Sequence, residues 1–276
     1  MDALPRTLAV CADDFGLTLG ISTGIAQLAH AGRLNAVSCM PQAPAWADSL
    51  PLLAALPKTV ERGLHFNLIE GQPLSAELRR YWPRYPSQPR LILAAHLRRL
   101  PLLALAHEFY AQWQAFAQAT GAAPQFVDGH LHMHHLPGVW EIVLGAVSAA
   151  AAPPAVRATG RVLGPGEGVK RRLIEATGGR ALQRALLQRG MRHNPSLIGV
   201  YNFVDTDYGA RIRRWLVTLP AEGGLLFCHP GVAGPAHGVV DPIAPARLRE
   251  QAYFSSAAFP QDLAEANVVL GSVWGS

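Results

Sequence analysis

Cysteine is scarce in this chain, which has three, Cys11, Cys39 and Cys228, among its 276 residues. They lie far apart inside apolar runs, and no two of them form the Cys-x-x-Cys spacing typical of zinc and redox sites. The sequence therefore argues against a disulfide framework and against a zinc finger. Buried free thiols in a reducing compartment are the better interpretation.

Long uncharged apolar runs are also missing. The most apolar stretch, residues 91–107, is interrupted by charged side chains and by Pro101, whereas a membrane-spanning helix needs about 20 apolar residues. The N-terminal segment carries an acidic residue where a signal peptide needs lysine or arginine. These features predict a cytoplasmic protein, and they leave open a peripheral contact of residues 91–107 with a membrane surface.

Acidic residues are fewer than basic ones, with 19 Asp and Glu against 24 Lys and Arg and a net charge of +5. A basic balance can favour nucleic acid or anionic lipid. Here the excess is sequence-wide, and no nucleic-acid-binding motif accompanies it. Because solvated arginine faces are the commoner explanation, we expect no nucleic-acid partner.

The chain does contain a regular alternation of short apolar runs and longer helical patterns, which is typical of βα units around a mainly parallel sheet. Its length suits a single α/β domain of the (β/α)-barrel size, spanning residues 1–276. About seven strands are predicted, and the late run "NVVLGSVW" adds a closing strand. The seven are Leu8–Ala12, Ala36–Met40, Gly63–Asn67, Gln125–Asp128, Ala155–Ala158, Leu197–Tyr201 and Leu225–Cys228.

Helical patterns lie between these strands. One stops at Gly32, a longer one ends at Gly121, and a third has Pro137 suited to its first turn. Residues 71–101 are rich in proline and arginine and have weak periodicity. We interpret residues 71–124 as an insertion or lid region within the single domain.

Polar side chains gather at the carboxyl ends of the predicted strands. They are Asp13 and Asp14 after the first strand, His65 and Asn67 at the third, Asp128 and His130 at the fourth, and His229 after the seventh. In a (β/α) barrel these ends share one rim, where active sites are built. The sequence thus predicts that these distant residues meet at one site.

Asp13 and Asp14 repel each other as adjacent carboxylates, which is tolerated most easily beside a positive charge such as a cation or a substrate proton. The run "DGHLHMHH" then places four histidines within residues 130–135. Burying so many without partners is costly, which favours a metal site. A period-two alternation would point His130, His132 and His134 the same way, so the candidate ligand stays open among them.

A set of one aspartate and two histidines, with His65 as one of them, leaves coordination positions open for water and substrate. One aspartate of the pair can ligate the cation while its neighbour accepts a proton from water. His229, in "LLFCHPG", suits a general acid for the leaving group. A core or turn-capping histidine is the alternative at that position.

The motifs "DDFGLT", "GLHFNLIEGQP", "DGHLHMHHLP" and "CHPG" follow one another as in the YdjC-like carbohydrate deacetylase family, which this chain resembles over most of its length. The resemblance implies a distorted (β/α) barrel and metal-dependent removal of the acetyl group from an N-acetylated amino sugar. It matches the metal ligands to Asp14, His65 and His130, the general base to Asp13 and the catalytic acid to His229, with His132 and His134 as alternative ligands.

The substrate implied by the resemblance is an N-acetylglucosamine-type sugar that is free, oligomeric or linked to a lipid, as in the family's hopanoid-biosynthesis branch. Asn67 and Arg157 are expected to contact it. The expected cofactor is one divalent cation, zinc or magnesium first, with manganese, cobalt or nickel as alternatives. The sequence leaves open a homodimer.

Two other functions remain open at this point: a metal-containing barrel that binds sugar without hydrolysing it, and another metal-dependent amide or ester hydrolase. The presence of both Asp13 and His229 favours an enzyme. The shortage of further carboxylates argues against a two-metal phosphatase.

Overall fold

A parallel β-sheet forms the centre of the protein in the computed structural model, which describes residues 4–274. The strands are β1 (Arg6–Phe15), β2 (Ala36–Cys39), β3 (Glu61–Phe66), β4 (Phe126–Gly129), β5 (Ala155–Val156), β6 (Leu197–Ile198), β7 (Gly224–Cys228) and β8 (Val268–Leu270). Their order is β5-β4-β3-β2-β1-β7-β6, with β8 also paired to β1. All seven predicted strands are confirmed, and the late run also forms a strand, but this strand pairs with β1 and does not close the barrel.

The sheet curls so that its two outer strands approach each other. Bridges between Val156 and His193 and between Val162 and Leu197 link the edge at β5 to the edge at β6. The Val156 N–H donates to the Arg192 carbonyl at 2.9 Å across this seam. The fold is therefore the expected distorted (β/α) barrel, and it is a single domain.

Helices surround the sheet. They are α1 (Leu19–His30), α2 (Trp46–Ala55), α3 (Ala76–Tyr81), α4 (Gln88–His96), α5 (Leu102–Thr120), α6 (Val139–Ala149), α7 (Gly168–Ile174), α8 (Arg180–Gln188), α9 (Tyr208–Thr218), α10 (Ala244–Ser255) and α11 (Ala258–Glu265). Within residues 4–274, none of them combines the length and the apolar character that crossing a membrane requires.

The ends of the predicted helices follow local chemistry. The Thr18 hydroxyl accepts from the Ile21 N–H at 3.2 Å and caps α1. Gly121 ends α5 in the left-handed conformation, with φ of 72°. The placement of Pro137 in the first turn of a helix is wrong, because α6 begins at Val139 after the turn residue Gly138, whose φ is 84°.

The weakly periodic stretch 71–101 contains two short helices, α3 and α4. Each buries few side chains, Leu78 on α3 and Leu91 and Ala95 on α4, so the apolar pattern is too sparse to show a helical period. The interpretation of residues 71–124 as a lid stays a prediction.

Candidate active site

Asp13 and Asp14 lie within β1, in an irregular segment near its carboxyl end, and not beyond the strand. The pairing of β1 with β2 shifts register between Ala12 and Phe15, and Asp14 has a positive φ of 69°. A regular strand would point adjacent side chains to opposite faces of the sheet. The bulge and the left-handed residue instead bring both carboxylates to the same cavity.

A cavity of about 780 Å³ opens at the carboxyl ends of the strands. Its wall includes six of the predicted site residues, Asp13, Asp14, His65, His130, His132 and His229. Residues from both ends of the sequence therefore meet at one rim, as expected for a (β/α) barrel.

Three potential ligand atoms converge at this rim. Asp14 Oδ1 lies 2.9 Å from His130 Nδ1 and 3.4 Å from His65 Nε2. One ligand atom of each of these residues lies within 4.8 Å of the others, and all three residues are buried. These side chains could hold one divalent cation.

His65 is oriented from behind by Asp128. The register of β3 and β4 places the two residues side by side, and His65 Nδ1 donates to Asp128 Oδ1 at 2.7 Å. Ser38 donates to the same oxygen at 2.5 Å. Because Nδ1 is engaged with a carboxylate, Nε2 is the nitrogen turned toward Asp14, which is the arrangement common around metal-binding histidines.

The charges in this cluster are strongly coupled. Burial alone would raise the pKa of the Asp14 carboxyl, but the charges of Arg247 and His130 hold that pKa well below its ordinary value. Burial alone would lower the pKa of His65, yet the negative charges of Asp128 and Asp13 raise it to about 10. The site therefore favours positive charge between these carboxylates.

Arg157 lies beneath the cavity rather than at its surface. Its guanidinium has no exposed surface and binds Asp13 through two hydrogen bonds of 2.7 Å each. It also lies 2.5 Å from Asp128 Oδ2 and 3.2 Å from Cys11 Sγ. The sequence predicts a substrate contact for Arg157, whereas in the structure this buried guanidinium holds the Asp13 carboxylate.

Asn67 is likewise committed to the protein. Its side-chain oxygen accepts from the backbone N–H groups of Ile69 and Glu70, and its amide donates to the Glu70 carbonyl. The residue is fully buried. Its polar atoms therefore hold the turn after β3, and none of these contacts faces a substrate.

Arg247 was missed by the sequence reasoning. It donates to Asp14 Oδ2 at 2.8 Å and to Asp241 Oδ2 at 2.7 Å. Asp13 is therefore held by Arg157, and Asp14 by Arg247. A sequence signal existed, since Arg247, Glu250, Gln251 and Phe254 follow the spacing of one helix face and all are buried on α10. Polar residues on a buried stripe point to a polar site.

The histidine cluster does not follow the alternation of a strand. Residues His130–His135 form a 3₁₀ turn in which Leu131 and His132 have positive φ values of 50° and 61°. His130 reaches Asp14, whereas His134 Nε2 donates to the Arg157 carbonyl at 2.8 Å. His132 lines the cavity against Phe227, with 4.9 Å between the ring centroids. His130, and not His134, therefore lies with Asp14 and His65 in the group whose atoms could hold a cation.

His229 follows β7 and borders the cavity between two aromatic rings, those of Phe203 and Phe227. Its Nδ1 atom is buried without a partner. Burial lowers the pKa of this imidazole to about 4, although the charges of Asp14 and Asp13 act in the opposite direction. His229 is therefore neutral at pH 7 in the free protein, so a general acid at this position must gain its proton during the reaction.

A family model described as YdjC-like protein matches residues 7–265. The chain belongs to the YdjC-like family. The chitooligosaccharide deacetylases of Klebsiella pneumoniae (strain 342) and Citrobacter koseri are each 32% identical to it, over 144 and 147 residues. Each match covers 51% of this YdjC-like chain and 55% of the relative, so the chain spans about half the length of these curated relatives.

A solved structure from Enterococcus faecalis V583, of a protein named for cellobiose-phosphate cleavage, is similar over 98% of both chains. The TM-score is 0.75 and the sequence identity 18%. At that identity the likeness concerns the fold alone, and it agrees with the barrel described above.

Proposed function

We propose that this protein is a metal-dependent hydrolase that removes the acetyl group from an N-acetylated amino sugar. The observation that carries the proposal is the convergence of Asp14, His65 and His130 at the rim of a large cavity, with Asp13 beside them. Relatives named chitooligosaccharide deacetylase support the choice of an acetylated sugar.

The donor set fits a divalent cation. Two imidazoles and one carboxylate are ligands that zinc accepts, and the Asp128 carboxylate behind His65 supplies the usual second partner of such a histidine. Magnesium, manganese, cobalt and nickel remain alternatives. When bound, such a cation polarises a carbonyl group and acidifies a water molecule.

Asp13 is the proposed general base. Arg157 holds both of its carboxylate oxygens, and Cys11 also donates to Oδ1, so Oδ2 is the oxygen that keeps a lone pair to accept a proton from the attacking water. Fixing the carboxylate in one orientation aids a proton transfer that depends on geometry. A second buried group of potential ligands consists of Cys11, Asp13 and Asp128. The Arg157 guanidinium occupies the space between them and supplies the positive charge there, so this group is not the proposed metal site.

His229 is the proposed proton donor for the departing amine, which leaves poorly unless it is protonated. Because this imidazole is neutral at pH 7, it must first take a proton from solvent and then deliver it to the amine, while the proton that Asp13 removes from water returns to solvent. The nearby Asp13 and Asp14 charges favour the protonated form during that interval. His229 is thus unprotonated in the resting protein and carries a proton only during the reaction.

The finer part of the proposal is that the sugar carries an apolar group, such as a lipid. The cavity mouth presents exposed apolar side chains from four separate segments, namely Leu93, Leu131, Leu173 and Val240. An exposed apolar rim of this kind is typical of a binding surface. Contact with a membrane surface would use the same rim.

Acetate release from free, oligomeric and alkyl-linked N-acetylglucosamine, with and without a chelator, tests the proposal. We expect release from at least one compound, its loss with chelator and its recovery on adding zinc or another divalent cation. Release that persists in the chelated protein, with metal removal verified by elemental analysis, would contradict metal dependence. No release from any acetylated sugar would contradict the activity itself.

The apolar rim is tested by Leu93→Ser, with Leu187→Ser on α8 as a control of similar exposure away from the cavity. Loss of about 1 kcal/mol of apolar contact predicts roughly a fivefold lower kcat/KM for the alkyl-linked sugar. The free sugar should be unaffected in both variants. Equal kcat/KM for free and alkyl-linked sugar in the unaltered protein would count against an apolar substituent.

A further inference from the structure

Glu250, on α10, has a side chain with no exposed surface. Its two carboxylate oxygens contact two segments of the cavity wall. Oε2 accepts from the backbone N–H of His229 at 2.6 Å, and Oε1 accepts from the hydroxyl of Tyr201. Glu250 therefore joins the segments that follow β6 and β7.

Burial of this carboxylate is costly. Arg247 lies one helical turn earlier, but its side chain makes its hydrogen bonds to Asp14 and Asp241 instead. Burial raises the pKa of Glu250 to about 7, although the Tyr201 hydroxyl and the His229 N–H favour the charged form. A buried carboxyl with only neutral hydrogen-bond donors suggests a role that an apolar side chain could not fill.

The backbone N–H of His229 lies just beyond the sheet and donates to Glu250. Strand β7 ends at Cys228, and Pro230 has no N–H to donate. The imidazole itself is not tethered at Nδ1, which is buried without a partner, and it meets Phe203 and Phe227 edge-on at 5.3 and 5.6 Å between ring centroids. The direction of the ring thus depends on where the backbone of His229 is held.

We propose that Glu250 is a positioning residue for His229, and that it acts by fixing the backbone N–H of residue 229 rather than by contacting substrate. This inference rests on the proposed function, in which His229 protonates the leaving amine. Arg157 holds the side chain of Asp13, and Glu250 in this proposal holds the backbone of His229.

Kinetics of Glu250 variants test the proposal on whichever acetylated sugar the enzyme hydrolyses. Glu250→Leu removes the acceptor, and Glu250→Asp shortens it, so kcat should fall about 10- to 100-fold in both while KM stays within about twofold. Glu250→Gln should retain most of kcat. Its amide oxygen can accept from His229 while its NH₂ donates to the Tyr201 oxygen.

Glu108→Leu is the matched control. Glu108, on α5, is another carboxylate without exposed surface that accepts from a tyrosine hydroxyl, Tyr85, and from backbone N–H groups, those of Leu74 and Ser75. We expect a lower melting temperature but kcat within about twofold of the unaltered protein for the folded fraction. A similar loss of kcat in both leucine variants would assign the effect to general loosening and overturn the proposal.

A readout independent of activity is the NMR spectrum of ¹⁵N-histidine-labelled protein. In Glu250→Leu, or in Glu250→Asp if the leucine variant does not fold, the ring signals of His229 should shift or broaden while those of His65 and His130 stay unchanged. If no acetylated sugar is hydrolysed, the proposed function fails while this spectrum still tests the positioning. Unchanged His229 signals in both variants, or wild-type kcat, would overturn the proposal.

Discussion

Two buried polar networks of this protein differ in whether their hydrogen-bonding atoms are all satisfied within the network. The strand-end network consists of Asp13, Asp14, Asp128, His65, Arg157 and Arg247, and the insertion network consists of Asn67, Tyr85, Glu108 and Gln112. Both are sealed from solvent to a similar degree. Burial of polar groups is therefore not what separates the active site from the rest of the molecule.

The insertion network is closed on itself. Gln112 accepts from the Asn67 N–H, and its two amide N–H groups are shared among the Asn67 carbonyl, Tyr85 and Glu108, which lie 2.8, 3.0 and 2.8 Å from the amide nitrogen. Glu108 receives two further backbone N–H groups, from Leu74 and Ser75. Its donors and acceptors satisfy each other, so it ties α3 and α5 to the end of β3 and serves the fold.

The strand-end network instead turns donor atoms toward a cavity. It brings together three carboxylates and two arginines, with His65 Nε2 and His130 Nδ1 facing the same oxygen of Asp14. Backbone strain accompanies it at Asp14 and His132. A polar network whose potential ligand atoms face a cavity is suited to catalysis. A network whose donors and acceptors are all paired internally is suited to stabilising the fold.

The largest expected effect comes from opening the strand-end network at a proposed ligand. His65→Ala should lose bound metal and reduce turnover on the order of 10³-fold or more, because the proposed cation loses one of its three protein ligands. Metal content by elemental analysis is the measurement. His30→Ala, at the exposed end of α1, is the control and should keep both. Full metal occupancy in His65→Ala would refute the ligand assignment.

Next in size is the loss of the proposed base. Asp13→Asn keeps the shape of the side chain but cannot take a proton, so turnover should fall about 10²–10⁴-fold while metal is retained. His229→Ala should behave similarly. Acetate release and elemental analysis measure turnover and bound metal in both variants. A wild-type rate in His229→Ala would return that histidine to a structural turn.

A smaller, graded effect is expected from pH on metal binding. After removal of metal, the charges of Asp128 and Asp13 raise the pKa of His65 to about 10, so binding must displace a proton. Affinity should rise about tenfold per pH unit from pH 7 to 9. Calorimetry in buffers of different ionisation enthalpy measures the released proton, and a pH-independent affinity would contradict the assignment.

The same pKa shift predicts the stability of the metal-depleted protein. Because the folded value for His65 lies above the ordinary 6.5, its stabilising contribution is fully present below about pH 6.5 and is lost as pH rises through about 10. Asp128→Asn removes the main source of the raised pKa, so both pH dependences should flatten in that variant. Thermal unfolding at several pH values measures this.

The smallest effect is expected in the insertion network. Tyr85→Phe removes the hydroxyl that donates to Glu108 at 2.6 Å, which should cost about 1 kcal/mol of unfolding free energy. Denaturant unfolding measures the loss, and kcat should stay the same. A loss of kcat matching that of the strand-end variants would remove the distinction between the two networks.

Much of the fold could be read from the sequence, because parallel strands buried on both faces form continuous apolar runs. The strands at Leu8–Ala12 and Leu225–Cys228 were recognisable in this way, and both pair in the sheet. The helices of stretch 71–101 were not, since each buries only one or two side chains. The insertion network that holds them depends on contacts between residues far apart in the chain.

The sequence by itself determined which reactive side chains the site contains: the aspartate pair, His65, a histidine cluster and His229. It also predicted that they meet, because the carboxyl ends of the strands share one rim in this topology. Only the tertiary structure decided their partners. The left-handed residues Asp14 and His132 change the expected side-chain directions. Arg157 reaches the site from the segment after β5, and Arg247 and Glu250 reach it from α10. The periodicity of a sequence predicts side-chain directions only where the backbone is a regular helix or strand. The contacts between charged residues far apart in the chain form only when the barrel closes.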